Sequence, residues 1–151
     1  MMSKVIIADT SCLIALDNIG LLTILKDLYH EIFITAAVRE EFGEELPIWI
    51  KVQQVNNTVT QSDLENLLDK GEASSIALAL EYDSAILIID ELKGRSIAKS
   101  KNIEIIGTIG VLLLAEKRGL VGNVMDVIWK LVNNGFRLSD VLLETLLNRY
   151  K

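Results

Sequence analysis

Short apolar runs alternate with stretches of helical periodicity along most of this chain. The runs at residues 5–8, 32–34, 85–89 and 103–106 are rich in isoleucine and bounded by polar residues, which is typical of buried strands. Residues 52–55 are a weaker strand candidate. Between the runs, apolar residues recur at the three- and four-residue spacing of helices. This alternation predicts an α/β protein with a parallel sheet and helices on both of its faces.

Short polar residues mark the points where the predicted helices begin. A hydroxyl side chain before a helix can accept a hydrogen bond from one of the first backbone N–H groups. The candidate caps are Thr10 or Ser11, Thr35, Thr60 or Ser62, and Thr108. Two further helices are predicted at residues 124–132 and 141–150. A very apolar helix opens at Glu72, directly after Gly71, and reaches about Tyr82.

Length and composition fit one domain spanning residues 1–151. Half of the residues are hydrophobic, so a chain of this length can bury a sizeable core. The apolar runs are too short to cross a bilayer, and the N-terminus lacks the long apolar region of a signal peptide. The single cysteine, Cys12, permits no internal disulfide. We therefore expect a cytoplasmic protein without a membrane segment.

The charges are unevenly distributed along the chain. Net charge is −6, which argues against a protein that simply coats nucleic acid. Residues 1–92 carry 16 acids and 5 bases, whereas residues 93–151 carry 5 acids and 10 bases. This asymmetry fits an acidic site beside a basic docking surface, and it fits chance clustering of surface charge equally well.

Two aspartates end the two most convincing strands. Asp9 follows the first strand, and Asp90 follows the strand at 85–89. Both strands are almost wholly apolar, so both should be central in the sheet. Ligands of open parallel sheets bind outside the carboxyl ends of the strands. If the two strands are neighbours, the carboxylates of Asp9 and Asp90 converge at one edge.

Two glutamates can reach the same edge. Glu41 lies about one turn into the helix that follows the second strand, and Glu72 opens the apolar helix after Gly71. An acid at a helix start also complements the helix dipole, and for Glu72 alone this is the preferred interpretation. However, the first turn of that helix is expected to be half buried, where an unpaired carboxylate is costly.

Four carboxylates in one cleft repel one another unless a cation lies among them. Hard oxygen ligands of this kind suit Mg²⁺ or Mn²⁺. His30 is the only histidine, and Cys12 has no histidine partner, so a zinc site and a thiol nucleophile are both disfavoured. The sequence has no Gly-rich phosphate loop. Metal-assisted hydrolysis is the reaction class that these residues support.

In order and spacing, these motifs resemble those of PIN-domain nucleases over nearly the whole chain. The first motif is Asp9-Thr10-Ser11, and the second is the stretch 34–42, in which Glu41 precedes Phe42. The third is Gly71-Glu72-Ala73 with the alanine-rich residues 76–79, and the fourth is 88–91 with Lys93-Gly94-Arg95. Residues 107–112 and 135–139 resemble a PIN-like subgroup of predicted nucleic-acid-binding proteins of this length.

The resemblance implies a three-layer α/β/α sandwich with a central, mostly parallel sheet. It also implies that the protein cleaves RNA with Mg²⁺ or Mn²⁺. Carried over by position, the catalytic and metal-binding acids are Asp9, Glu41, Glu72 and Asp90. Glu40 competes with Glu41 for the second position, and many members carry Asp at the third. Thr10 or Ser11 is implied to order the phosphate or a metal-bound water. Many members are toxins of toxin–antitoxin pairs, and many form homodimers.

The basic helix after Asp90 has two interpretations. Lys93 and Arg95 are expected to bind RNA phosphates beside the metal site, whereas Lys99 and Lys101 fit an ordinary solvated face. We expect Trp49 and Trp129 to pack against apolar residues rather than to stack on bases.

Three functions are compatible with the pattern. A metal-dependent endoribonuclease is the leading hypothesis, and a PIN-like nucleic-acid-binding or regulatory module with weak catalysis is the alternative. A phosphoacceptor receiver domain ranks last, because Asp9 lacks the adjacent acid and Ile106 lacks the following lysine that such domains use.

Overall fold

The computed structural model describes residues 4–149, which form five strands and nine helices. The strands are β1 (Val5–Ala8), β2 (Ile32–Ile34), β3 (Ile50–Val52), β4 (Ala85–Ile88) and β5 (Glu104–Ile106). The helices are α1 (Thr10–Asn18), α2 (Ile24–Tyr29), α3 (Ala36–Phe42), α4 (Thr58–Glu65), α5 (Lys70–Ala79), α6 (Leu92–Ser100), α7 (Thr108–Lys117), α8 (Val124–Asn133) and α9 (Asp140–Arg149).

The five strands form one sheet in the order β3-β2-β1-β4-β5, and every pairing is parallel. β1 is the central strand. It pairs with β4 along its full length, from Val5 opposite Ala85 to Ala8 opposite Ile88. The predicted parallel sheet is confirmed, and the first strand lies beside the strongest later strand, which is the condition for Asp9 and Asp90 to converge.

Apolar side chains project from both faces of the sheet, where they pack against the helices on each side. Along β1, Ile6 and Ala8 join one buried cluster and Ile7 joins the other. The first cluster includes residues of α1, α7 and α8, whereas the second is dominated by α5. All residues of α5 from Gly71 to Ala79 are buried. The molecule is therefore a three-layer α/β/α sandwich.

Several helices begin at residues other than those predicted. Asp9, not Thr10 or Ser11, occupies the position before α1, and Asn57 rather than Thr60 or Ser62 caps α4. Gly107 precedes α7, so Thr108 is its first residue rather than its cap. The Thr35 cap of α3 is confirmed by a 3.2 Å hydrogen bond from the Val38 N–H to the Thr35 hydroxyl.

The position of the third strand also differs from the prediction. β3 lies at Ile50–Val52, because parallel pairing with β2 selects those residues instead of 52–55. The last helix was expected to reach Tyr150, which lies outside the described residues. Among the described residues, no helix is both long and apolar enough to cross a membrane.

Candidate active site

The order of the strands reverses direction between β1 and β4. The chain adds β2 and β3 on one side of β1 and then adds β4 and β5 on the other. The crevice beyond the carboxyl ends of two such strands is the usual ligand site of an open α/β sheet. Asp9 directly follows β1, and its N–H donates to the carbonyl of Ile88 in β4 at 2.9 Å. Asp9 and Asp90 therefore lie at the same edge.

A cleft of about 520 Å³ opens at this edge. Its lining includes all four predicted acids, namely Asp9, Glu41, Glu72 and Asp90, together with Thr10 and Ser11. Two further acids, Asp69 and Glu91, lie in the same lining. Glu40 lies in a different surface depression, beside Thr35 and Val52. Of the two competing glutamates, Glu41 is the one at the cleft.

Asp90 is held by three hydrogen-bond donors from two helices. The Thr108 N–H donates to Oδ1 at 2.7 Å, and the Thr108 hydroxyl donates to Oδ2 at 2.6 Å. The Ser11 hydroxyl donates to Oδ2 at 3.0 Å. Thr108 begins α7, so the positive end of that helix dipole also faces the carboxylate. These contacts fix Asp90 in one orientation.

Arg95 supports the backbone beside Asp90. Its Nη1 donates to the carbonyl of Ile89 at 2.8 Å, and a Cβ atom added to Gly107 would lie 2.9 Å from the same Nη1. Neither Arg95 nor Lys93 lines the cleft, and Lys93 is exposed on α6. Their predicted contact with substrate phosphates stays a prediction.

Glu41 lies directly over the first turn of α5. The Thr10 hydroxyl donates to Glu41 Oε1 at 2.8 Å. A Cβ atom added to Gly71 would lie 1.9 Å from the same oxygen and 3.3 Å from Asp9 Oδ1. A glycine at position 71 therefore leaves the space in which Glu41 approaches Asp9.

Asp69 and Glu72 begin α5 as a reciprocal capping pair. The Glu72 N–H donates to Asp69 Oδ1 at 2.8 Å, and the Asp69 N–H donates to Glu72 Oε1 at 3.3 Å. The helix consequently starts at Lys70 rather than at Glu72. The spacing Asp-x-x-Glu is a sequence signal for such a pair, and it identifies Asp69, which the sequence analysis missed.

Two of the cleft carboxyls titrate far above their ordinary range. Burial is the largest of the causes that together raise the pKa of Asp9 to about 7; the negative charges of Glu72, Asp69 and Glu41 add to it, and a backbone hydrogen bond from Thr10 acts against it. Burial followed by the charge of Asp69 raises the pKa of Glu72 to about 7 as well. Asp9 is 5% exposed and Glu72 is 7% exposed. The acids thus repel one another in a poorly solvated site.

A family model described as DUF3368: PIN domain matches residues 5–151. The chain belongs to the PIN-domain family. PIN domains are generally nucleases and usually use divalent metal ions. No curated protein and no solved structure gives a significant match. The receiver-domain alternative is set aside, since receivers have the strand order 2-1-3-4-5 whereas this PIN domain has 3-2-1-4-5.

The donor set of this PIN domain fits a hard divalent cation. Carboxylate oxygens are the ligands that Mg²⁺ and Mn²⁺ prefer, and a cation would offset the repulsion that raises the pKa of Asp9 and Glu72. Within residues 4–149, no three Asp, Glu, His or Cys side chains are close enough together to form a closed metal cluster. The residues therefore fit such an ion by chemistry and position, without a preformed coordination shell.

Cys12 lies behind the acids and takes no part in the cleft lining. Its side chain is fully buried, and burial together with the charge of Asp90 raises the pKa of its thiol to about 12. The thiol is therefore protonated at neutral pH and is a poor nucleophile.

Part of the cleft lining was not predicted. This part includes Ile14 and Ala15 of α1, Leu131 of α8, and residues 134–137 after that helix. Gly135, Phe136 and Arg137 belong to a motif that supported the family resemblance, but that resemblance gave them no position. The packing of α8 against α7 and α1 brings this segment to the sheet edge.

Proposed function

We propose that this PIN domain is a metal-dependent endoribonuclease that hydrolyses RNA phosphodiester bonds. One observation carries the proposal: Asp9 and Asp90 follow two adjacent central strands and share a cleft with Glu41 and Glu72. Family membership supports the nuclease class, and the proposal adds RNA as the substrate and Mg²⁺ or Mn²⁺ as the cofactor.

Asp9, Glu41, Glu72 and Asp90 are the residues that would hold the metal. When bound there, Mg²⁺ or Mn²⁺ would neutralise charge on the scissile phosphate and lower the pKa of the attacking water. Asp90 enters the reaction already oriented by Thr108 and Ser11. Thr10 holds the carboxylate of Glu41, and the burial of Asp9 excludes competing solvent from its side of the site.

The partners of this domain belong to the same proposal. An acidic cleft of this kind is a suitable target for a basic residue of an inhibitory protein, which supports a role as the toxin of a toxin–antitoxin pair. A homodimer remains proposed, but not through the leucines of α1 and α2. Leu13, Leu16, Leu25 and Leu28 are buried in the core of the monomer.

The decisive experiment compares cleavage of a fluorescently labelled single-stranded oligoribonucleotide with and without Mn²⁺. We expect Asp9→Asn and Asp90→Asn each to lower the rate at least about 100-fold, since even outer-shell partners of metals cost about 10–100-fold. Asp17→Asn is the matched control, because Asp17 is an exposed acid of α1 outside the cleft lining. If Asp9→Asn cleaves RNA as the unmodified protein does, the proposal is wrong.

The second candidate is a PIN-like binding or regulatory module with weak catalysis. The absence of a closed metal cluster among residues 4–149 favours it. The same assay separates the two candidates. Turnover that needs Mn²⁺ and Asp9 removes the binding module, whereas RNA binding without turnover at any metal concentration removes the nuclease.

A further inference from the structure

The lining of the cleft has two chemically different parts. The acidic part carries six carboxylates, whereas the part formed by α8 and residues 134–137, the facing wall, is apolar at Leu131 and Phe136 and basic at Arg137. Arg137 is the one cation in the described lining of the cleft.

The segment that carries Phe136 and Arg137 is fixed by the way α8 ends. The Phe136 N–H donates to the Leu131 carbonyl at 3.0 Å, and the Gly135 N–H donates to the Val132 carbonyl at 3.1 Å. This hydrogen-bond pair is a Schellman motif, and Gly135 has the positive φ of 96° that the reversal requires. Phe136 also packs against the main core. The facing wall is therefore a built feature of the fold.

Arg137 is available to an anionic ligand. It lies in the lining of a cleft with six acids, yet within residues 4–149 it forms no ion pair with any of them. Its side chain is exposed. A guanidinium binds phosphate oxygens through two parallel hydrogen bonds, so its geometry suits a phosphodiester.

Phe136 adds a half-buried aromatic ring next to that cation. Aromatic rings that alternate with cations bind single strands, because each base stacks on a ring while its phosphate meets a positive charge. Paired bases in a duplex are already stacked and do not offer a free face to a side chain. The facing wall therefore matches an unpaired nucleotide adjacent to the phosphate that the acids address.

We infer that residues 134–137 form the substrate-positioning wall of this site, with Arg137 on a phosphate that flanks the scissile bond and Phe136 stacked on an unpaired base. The inference rests on the proposed function, which it deepens by assigning the contacts that hold the strand. Arg137 and Phe136 act in binding and positioning, and the acids act on the scissile phosphate.

The first test measures steady-state kinetics on a single-stranded oligoribonucleotide in Mn²⁺. We expect Arg137→Ala to raise KM about tenfold and to change kcat less than about threefold, because it removes a phosphate contact without touching the acids. The salt dependence gives an independent readout. The plot of log(1/KM) against the logarithm of the salt concentration has a negative slope. For Arg137→Ala this slope should be shallower by about 0.7, the value for one phosphate contact on a single strand.

Lys130→Ala is the matched control. Lys130 is exposed in the last turn of α8, the helix that leads into residues 134–137, and lies outside the cleft lining. Its replacement by alanine removes one positive charge, as Arg137→Ala does. If Arg137→Ala and Lys130→Ala give the same KM and the same salt slope, the inference is overturned.

Phe136→Leu tests the stacking contact while keeping an apolar side chain against the core. We expect it to raise KM for the unpaired strand about tenfold, which corresponds to one lost stacking contact. On an oligonucleotide that lacks the base which stacks on Phe136, next to the scissile bond, the variant and the unmodified protein should have equal KM. An unchanged KM on the intact strand, with an unchanged melting temperature, would exclude the stacking role.

A binding measurement separates failure of this inference from failure of the proposed function. If the unmodified protein does not cleave RNA in Mn²⁺, fluorescence anisotropy with the same oligonucleotide in Ca²⁺ still tests the wall. Weaker binding by Arg137→Ala than by Lys130→Ala would then support the wall without a nuclease. Equal binding would overturn the wall whatever the outcome for cleavage.

Discussion

Each acid of the cleft has different immediate neighbours, and these neighbours determine its behaviour. Asp90 accepts three hydrogen bonds, which fix its orientation. Asp9 is deeply buried beside other acids, and its pKa rises to about 7. Glu41 depends on the absence of a side chain at Gly71. The four positions are therefore not interchangeable, although all carry a carboxylate.

Gly71→Ala should separate function from folding. Alanine favours a helix over glycine by about 1 kcal/mol, so the change should leave stability unchanged or raised. The new Cβ would lie 1.9 Å from Glu41 Oε1, so the glutamate must move away from Thr10. We expect RNA cleavage in Mn²⁺ to fall at least tenfold, while urea denaturation shows no loss of stability.

The control for this prediction is Ala73→Gly, a change in the same turn of α5. It should cost more than about 1 kcal/mol of stability, because the loss of helix propensity adds to the removal of a fully buried methyl group, and it should not displace Glu41. Full activity in Gly71→Ala would show that Glu41 need not lie where the structure places it.

The sequence predicts the positions of the acidic residues better than it predicts their hydrogen-bond partners. Asp9 and Asp90 follow from the ends of two apolar strands, because strand polarity alone places them at one edge. The bond from Thr108 to Asp90 joins residues 18 positions apart and depends on how α7 begins beside β4. Sequence spacing does not contain that geometry, so the sequence predicts only a helix cap at Thr108.

Among the elements, α5 shows that one residue can serve both a helix and a site. Asp69 caps the helix through the Glu72 N–H, and its charge also raises the pKa of Glu72 and Asp9. The sequence predicts the existence and the burial of this helix well. It gives the wrong start, because Glu72 at the third helical position was read as the opening residue.

Replacing Asp69 by two different residues should resolve its two roles. Asp69→Ser keeps a cap acceptor and removes the charge, whereas Asp69→Ala removes both. We expect the alanine variant to be about 1 kcal/mol less stable than the serine variant in urea denaturation. In both variants the pKa of Glu72, followed by NMR titration of its side-chain carboxyl, should be lower than in the unmodified protein.

The Asn57 cap of α4 supplies the control. Asn57→Ser and Asn57→Ala should differ in stability by a similar amount, because Asn57 accepts the Thr60 N–H at 3.1 Å. Neither change should move the pKa of Glu72. A shift caused by Asn57→Ala would mean that helix fraying, rather than charge, explains the effect at Asp69.

In the molecule as a whole, the parallel sheet places the carboxylates of Asp9 and Asp90 at one edge and so concentrates negative charge in the cleft. The parallel direction of the strands and the central position of β1 and β4 follow from the apolar pattern, whereas the order of the strands does not. The position of α8 and residues 134–137 was not, because an amphipathic helix alone does not specify which edge of the sheet it reaches.

The metal-free protein should lose stability as pH rises. The folded-state pKa of Asp9 and Glu72 is about 7, above their ordinary values of 3.8 and 4.5. The folded state therefore binds more protons than the unfolded state between those values, and the free energy of unfolding falls as pH rises through that window. Thermal melting in EDTA from pH 4.5 to 8 measures this loss of stability, and the Asp9→Asn variant should lose less stability over the same range.

Mn²⁺ should reverse this loss at pH 8, because an ion that binds only the folded state stabilises it by mass action. A melting temperature that does not respond to millimolar Mn²⁺ would contradict a cation site at these acids. Asp17→Asn is again the control, and it should respond to pH and metal as the unmodified protein does.

The pairing of β1 with β4 has a consequence for protein synthesis. Asp9 leaves the ribosome early, but Asp90 meets its partners only after residue 108 has emerged, and Arg137 arrives later still. The intervening strands and helices must be made before the two aspartates can lie side by side. For a protein with the proposed activity, the growing chain therefore carries no complete catalytic centre until α7 has been made.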